Sequence, residues 1–142
     1  MRIGIFGGSF DPVHVGHLWI GEAATESLQL DRLLWVPTAR QPLKPGGASA
    51  GDQQRVDMLR IAVSGRDGHS VDEREIHRQG VSYTIETVRE LNREHPGDDL
   101  FLIIGSDSLH SFQRWHEPGE LLRRVTLAVV QRGGEDQLDF AA

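Results

Sequence analysis

Residues 7–17 read GGSFDPVHVGH, and they follow the short apolar run Ile3–Phe6. A buried strand that ends in two glycines just before a helix lets backbone N–H groups and the positive helix end face an anion. The helix is predicted from about His17, because apolar residues recur at helical spacing as far as Leu28. This stretch therefore predicts a first strand, a turn suited to phosphate and a first helix.

Apolar runs and helix-like periodic segments alternate along the rest of the chain. Further strands are predicted at Leu33–Val36, Ser70–Ile76, Leu100–Ile104 and Val125–Val130, and further helices around Val56–Val63 and over Tyr83–Glu94. Such alternation is typical of a parallel α/β sheet. We predict a single α/β domain over residues 1–132, built on a doubly wound, Rossmann-like parallel sheet with helices on both faces. Residues 133–142 are expected to form a polar tail.

Composition narrows the classes of partner. The 142 residues are 38% hydrophobic and 25% charged, as in ordinary soluble proteins. The net charge of −6 disfavours nucleic acid as a main partner, and the absence of cysteine excludes disulfides, thiolate metal sites and a cysteine nucleophile. No apolar run approaches the roughly 20 residues of a membrane span. We expect a cytoplasmic protein with no nucleic-acid or membrane partner.

His14 and His17 lie three residues apart at the predicted helix start, so both can point into one site. Three interpretations compete. Both imidazoles donate hydrogen bonds to phosphate, or both ligate a metal, or both are ordinary surface histidines. Two ligands are too few for a metal centre, and the preceding Gly7-Gly8 turn favours phosphate. Gly16, between the histidines, is expected to leave room for a ligand.

GGSFDPVHVGH resembles the signature of the HxGH nucleotidyltransferases, relatives of the class I aminoacyl-tRNA synthetases. Within that superfamily the chain is most similar to the bacterial nicotinate-nucleotide adenylyltransferases. Three further stretches support this similarity, namely Val81–Thr84 before a helix, Ile103–Asp107 after a strand, and Trp115-His116. The resemblance runs in order through almost the whole chain.

The resemblance implies adenylyl transfer from ATP to nicotinic acid mononucleotide, giving deamido-NAD and pyrophosphate in NAD biosynthesis. It also implies Mg²⁺ that arrives with ATP and is held mainly by phosphates and water, with no dedicated metal site in the protein. Two alternatives remain open, phosphopantetheine adenylyltransferase and a nucleotide-binding remnant without turnover. The first usually has T-x-G-H where this chain has His14-Val15-Gly16-His17.

The resemblance assigns three groups of site residues. The catalytic group is His14, His17 and Lys44; the ATP and nucleotide group is Gly7, Gly8, Ser9, Phe10, Gly16, Gly105 and Asp107; the pyridine-substrate group is Tyr83, Thr84 and Trp115. Arg132, just after the fifth strand, is added because it could reach phosphate. Each of three assignments has a simpler alternative: a solvated loop lysine for Lys44, a helix cap for Thr84 and a core aromatic for Trp115.

Other polar residues are expected to have no role in the site. Arg55 and Asp57 are predicted to lie on a solvated helix face, and four histidines without common spacing are predicted to be surface residues, namely His69, His77, His95 and His110. Family members continue past position 142 and carry a second signature, I-S-x-[ST]-x-I-R, which does not occur here. We therefore expect this chain to carry only part of the phosphate-binding residues, as a truncated or short form would.

Overall fold

The computed structural model describes residues 1–39, 51–78, 83–132 and 138–141. The strands are β1 (Arg2–Gly8), β2 (Arg32–Pro37), β3 (His69–Val71), β4 (Asp99–Gly105), β5 (Thr126–Arg132) and β6 (Leu138–Ala141). The helices are α1 (Val15–Ser27), α2 (Asp52–Val63), α3 (Arg74–Arg78), α4 (Thr84–Glu94), α5 (Ser106–Ser111) and α6 (Pro118–Arg124), with a 3-10 turn at Phe112–Arg114. In these described segments no helix has the length and apolar character of a membrane span.

One six-stranded sheet has the order β3-β2-β1-β4-β5-β6. The first five strands pair in parallel, and β6 pairs antiparallel with β5. The predicted doubly wound parallel α/β fold is confirmed. Strand order reverses direction between β1 and β4, and in such sheets the crevice at the carboxyl ends of these two strands is the usual ligand site.

Side chains of the central strands alternate between two hydrophobic clusters, because successive residues of a strand point to opposite faces. Ile3, Ile5 and the leucines of β4 pack with α4 and α6 on one face. Phe6, Trp35 and Phe101 pack with α1 and α2 on the other face. Both faces of the parallel strands are therefore covered, which explains their continuous apolar runs.

Helix α1 approaches β2 closely at Gly21. A Cβ atom at this glycine would lie 2.6 Å from Cζ2 of Trp35, which is fully buried. The indole Nε1 of Trp35 donates a hydrogen bond of 3.1 Å to Nδ1 of His69. The prediction that His69 is a surface residue is therefore wrong, since its imidazole satisfies the one polar atom of a core tryptophan.

Two segments differ from the predicted elements. The strand predicted over Ser70–Ile76 ends at Val71, and Arg74–Arg78 is helical instead. The change occurs at Asp72, whose carboxylate accepts a hydrogen bond of 3.1 Å from the backbone N–H of Arg74 and so satisfies a donor at the helix start. In the predicted polar tail, residues 138–141 form the edge strand β6.

Replacing Gly21 with alanine is expected to lower the free energy of unfolding by about 1–2 kcal/mol, because the added methyl overpacks against Trp35. The matched control is Gly119→Ala in α6, where the nearest atom, Arg123 Nη1, lies 3.8 Å away. That control should gain up to about 1 kcal/mol from helix propensity. Urea unfolding measures both, and a Gly21→Ala protein as stable as the control would contradict the close approach.

Candidate functional site

The candidate site lies where β1 and β4 end side by side. The last two residues of β1 are Gly7 and Gly8. The carbonyl of Gly8 accepts a hydrogen bond of 3.0 Å from the backbone N–H of Thr38, which directly follows β2. The last residue of β4 is Gly105, which directly precedes α5. A Cβ atom added at Gly105 would point into open space. Because both strands end in glycine, the backbone is not covered by side chains at the crevice between β1 and β4, where the strand order reverses.

His14 and His17 are held by backbone N–H groups at the start of α1. Nδ1 of His14 accepts a hydrogen bond of 3.1 Å from Gly16 N, and Nδ1 of His17 accepts one of 3.0 Å from His14 N. A neutral imidazole that accepts at Nδ1 carries its proton on Nε2. Both rings therefore have an N–H donor on the side away from the helix end.

The two imidazole rings stack, with centroids 3.8 Å apart and planes inclined by 27°. The sequence predicted that backbone N–H groups at this helix end would face an anion directly. The structure corrects this in part: two of those N–H groups donate to the imidazoles, which present Nε2–H donors in their place. A chain of hydrogen bonds that starts at the positive helix end polarises each donor further.

Gly16 makes a close contact with the ring of His14. A Cβ atom at Gly16 would lie 2.9 Å from Cε1 and 3.0 Å from Nδ1 of His14. The missing side chain thus leaves room for the ring of His14. This contact explains why a glycine stands between the two histidines.

His17 packs against buried aromatic rings. Its centroid lies 5.1 Å from that of Phe10, which is buried and in turn contacts Phe6 and Trp35. Burial, followed by the neighbouring His14, lowers the pKa of His17 from 6.5 to about 4. His17 is therefore neutral near pH 7 and can donate through Nε2 without carrying a charge.

Arg55 is the site residue that the sequence interpretation missed. Its side chain is fully buried on α2, so the prediction of a solvated position is wrong, whereas Asp57 is exposed as predicted. Nη1 donates a hydrogen bond of 2.6 Å to the carbonyl of Ser9, and Nη2 pairs with Asp52 at 2.5 Å. Arg55 shares an i, i+4 row with the core residues Leu59 and Val63, and this spacing was the signal that could have located it.

Two of the candidate pyridine residues, Tyr83 and Thr84, lie at the start of α4, and the third, Trp115, directly precedes a residue that contacts Tyr83. Thr84 is the first helical residue, and Tyr83 is the N-cap residue, so the alternative of Thr84 as the cap is wrong. The ring centroid of Tyr83 lies 4.6 Å from that of His116. Trp115 is half-buried, packs against the core and contacts Phe112 at 5.2 Å. Its core contacts are thus real, while the stacking role remains a prediction.

A buried carboxyl group links α3 to α4. Glu75 accepts a hydrogen bond from the hydroxyl of Thr87, which is also buried. Burial raises the pKa of Glu75 to about 7, against the lowering effects of Thr87 and Arg78. Arg78 also pairs with Glu90 of α4 at 3.0 Å. The position of α4 therefore depends on a small polar network in which the Glu75 carboxyl has a pKa near 7.

Several predicted residues lie outside what the structure describes. Lys44 falls in the undescribed segment 40–50, and only the backbone of Asp107 and of Arg132 is described. Asp107 is the second residue of α5, and Arg132 is the last residue of β5. Within residues 1–39, 51–78, 83–132 and 138–141, no three His, Asp or Glu side chains are grouped as metal ligands.

Comparison with known proteins gives consistent matches. A family model described as cytidylyltransferase-like matches residues 5–140. A protein of Rhodopirellula baltica, named "Probable nicotinate-nucleotide adenylyltransferase", is 50% identical over 98% of this chain and 65% of its own length. A protein of the same name from Aquifex aeolicus is 40% identical over 94% of this chain and 79% of its own length. This chain thus spans about two thirds to four fifths of these relatives.

A solved structure shares the fold. Plasmodium falciparum nicotinic acid mononucleotide adenylyltransferase, complexed with NaAD, superposes with a TM-score of 0.79 at 20% identity. The superposition covers 97% of this chain and 67% of that one. At this identity the likeness concerns the fold.

Imidazole titration by ¹⁵N NMR should show His17 as the Nε2–H tautomer at pH 7, with a pKa of about 4. Because this pKa lies below the unfolded value of 6.5, the unfolded chain binds more protons between these pH values, and acidification there destabilises the fold. His14→Ala removes the smaller lowering cause and should raise the pKa of His17, whereas the exposed His77→Ala should not. A wild-type pKa near 6.5 would contradict the buried, neutral ring.

Glu75→Gln is expected to change how stability depends on pH. The folded pKa of Glu75, about 7, lies above its ordinary value of 4.5. The folded state therefore binds more protons between these pH values, and its stability falls as pH rises through them. The difference in unfolding free energy between Glu75→Gln and wild type should change by up to about 3 kcal/mol across this window. Urea unfolding at several pH values measures it.

A second variant tests the cause of that shift. Thr87→Val removes the hydroxyl donor that lowers the Glu75 pKa, so the fall in stability should move to higher pH. Identical pH profiles for wild type and Glu75→Gln would show that the carboxyl group does not titrate in this range.

Proposed function

Because the chain belongs to the cytidylyltransferase-like family, we propose that it transfers the adenylyl group of ATP to nicotinic acid mononucleotide. The products are deamido-NAD and pyrophosphate. The relatives named nicotinate-nucleotide adenylyltransferase support the choice of substrates. The observation that carries the proposal is the stacked pair His14 and His17, whose Nδ1 atoms are held by backbone N–H groups beside the glycine end of β1.

The proposed reaction is an in-line displacement at the α-phosphorus of ATP. A 5′-phosphate oxygen of the mononucleotide forms a bond to this phosphorus, the bond to the bridging oxygen of the β-phosphate breaks, and pyrophosphate leaves with that electron pair. No covalent enzyme intermediate is needed, so the protein contributes positioning and charge stabilisation. Mg²⁺ enters as part of the ATP substrate, bound mainly by phosphate and water oxygens.

The phosphate half of the site supplies neutral donors in fixed positions. In the proposed reaction the Nε2–H groups of His14 and His17 donate to the ATP phosphates, while Gly7, Gly8, Ser9 and Phe10 lie against them. Donors that are already oriented need no reorganisation when negative charge shifts toward pyrophosphate. Lys44, Gly105, Asp107 and Arg132 keep their predicted nucleotide contacts as part of the proposal.

The pyridine half is proposed to lie at the start of α4. The helix N-terminus at Thr84 carries a partial positive charge, which suits the carboxylate of nicotinic acid better than an amide. Trp115 is partly buried and packs against the core, and it is proposed to stack on the pyridine through its exposed part.

Pyrophosphate release tests the proposal directly. The purified chain is mixed with ATP, Mg²⁺ and nicotinic acid mononucleotide, and release should fall about 100-fold or more in His17→Ala, which loses one phosphate donor. His77→Ala, at a side chain 74% exposed on α3, is the matched control and should retain full activity.

Other outcomes separate the alternative functions. Release with phosphopantetheine alone would assign the chain to phosphopantetheine adenylyltransfer. ATP binding without release on either acceptor would indicate a nucleotide-binding protein without turnover. A wild-type rate no higher than that of His17→Ala would refute the proposed enzyme activity for this chain.

A further inference from the structure

A buried cation lies directly behind the glycine end of β1. The guanidinium of Arg55 is fully buried, and it bonds the carbonyl of Ser9 and the carboxylate of Asp52. Within the described part of the chain, its Nε atom has no hydrogen-bond partner. Burying a charged group is costly unless it is well paired, and a buried polar atom without a partner therefore calls for a physical explanation.

The bond to Ser9 fixes the orientation of one peptide unit. The Ser9–Phe10 peptide is trans, so the N–H of Phe10 points opposite to the carbonyl that faces Arg55. Phe10 has a φ of 46°, in the left-handed region that a bulky residue adopts only when its surroundings impose it. The guanidinium on one side and the packed aromatic ring on the other both hold this conformation.

We infer that Arg55 is a positioning residue of the phosphate site. It turns the Ser9–Phe10 peptide so that the N–H of Phe10 faces away from the protein interior as a phosphate donor, and it places a positive charge behind the anion. Through the ring of Phe10, 5.1 Å from His17, the same contact also sets the position of that imidazole. This inference rests on the proposed function, because it concerns the binding of ATP phosphates.

Three variants on α2 test the inference. Arg55→Gln removes the positive charge and the guanidinium group that donates to Ser9 and Asp52 together. Arg55→Lys keeps the charge but cannot reproduce the planar fork that reaches Ser9 and Asp52 together. Arg60→Gln is the matched control, because Arg60 lies on the same helix with its side chain 52% exposed and pairs with Glu73.

Calorimetry with ATP and Mg²⁺ should show affinity weakened about 10- to 100-fold in Arg55→Gln, as expected for a lost charge-assisted hydrogen bond, and by less in Arg55→Lys. Arg60→Gln should bind like wild type. In the unliganded protein, the amide signal of Phe10 and the imidazole signals of His17 should shift in both Arg55 variants and not in the control. Thermal unfolding identifies which variants are folded.

The two readouts separate this inference from the proposed function. If wild type fails to bind ATP, the proposed function fails, and the unliganded NMR signals alone decide whether Arg55 positions the loop. If Arg55→Gln does not fold, Arg55→Lys decides. A folded Arg55 variant with wild-type affinity for ATP and unshifted Phe10 and His17 signals would overturn the inference.

Discussion

Two hydrogen bonds from backbone N–H groups to imidazole nitrogens determine what the end of β1 can offer an anion. They occupy Nδ1 of His14 and His17, so the protons lie on Nε2 and both rings become outward donors. The stacking of the rings and the glycine at position 16 both follow from this geometry, since a Cβ atom at Gly16 would displace the ring of His14. The helix start and the donor pair are therefore one structural unit.

Sequence patterns predicted most of the strands and helices, because strand and helix periodicities are local properties of the sequence. The apolar run of β4 and the helical spacing of α1 both appeared as expected. The end of the strand predicted over Ser70–Ile76 was wrong, because Arg74–Arg78 is helical. Five helical residues are too few to show a period, and the deciding contact is a cap from Asp72. The family resemblance predicted a shared site for His14 and His17, and the structure stacks their rings next to Phe10.

The environment of individual side chains was harder to predict, because it depends on contacts between distant elements. Burial of Arg55 depends on Ser9, 46 positions earlier in the chain, and the partner of His69 is Trp35 on a neighbouring strand. The contact between His69 and Trp35 leaves no pattern at the residue itself. Among described residues, the i, i+4 row through Arg55 and Leu59 was the one local indication of such a contact.

The alternation of side chains along the central strands also determines how the protein unfolds. β1, β2 and β4 each contribute residues to both hydrophobic clusters, one on each face of the sheet. Neither cluster can therefore melt while the other keeps its strands in register. Trp35 packs in one cluster and Trp115 packs against the other. In a single cooperative transition, the fluorescence of both indole rings would change at the same denaturant concentration.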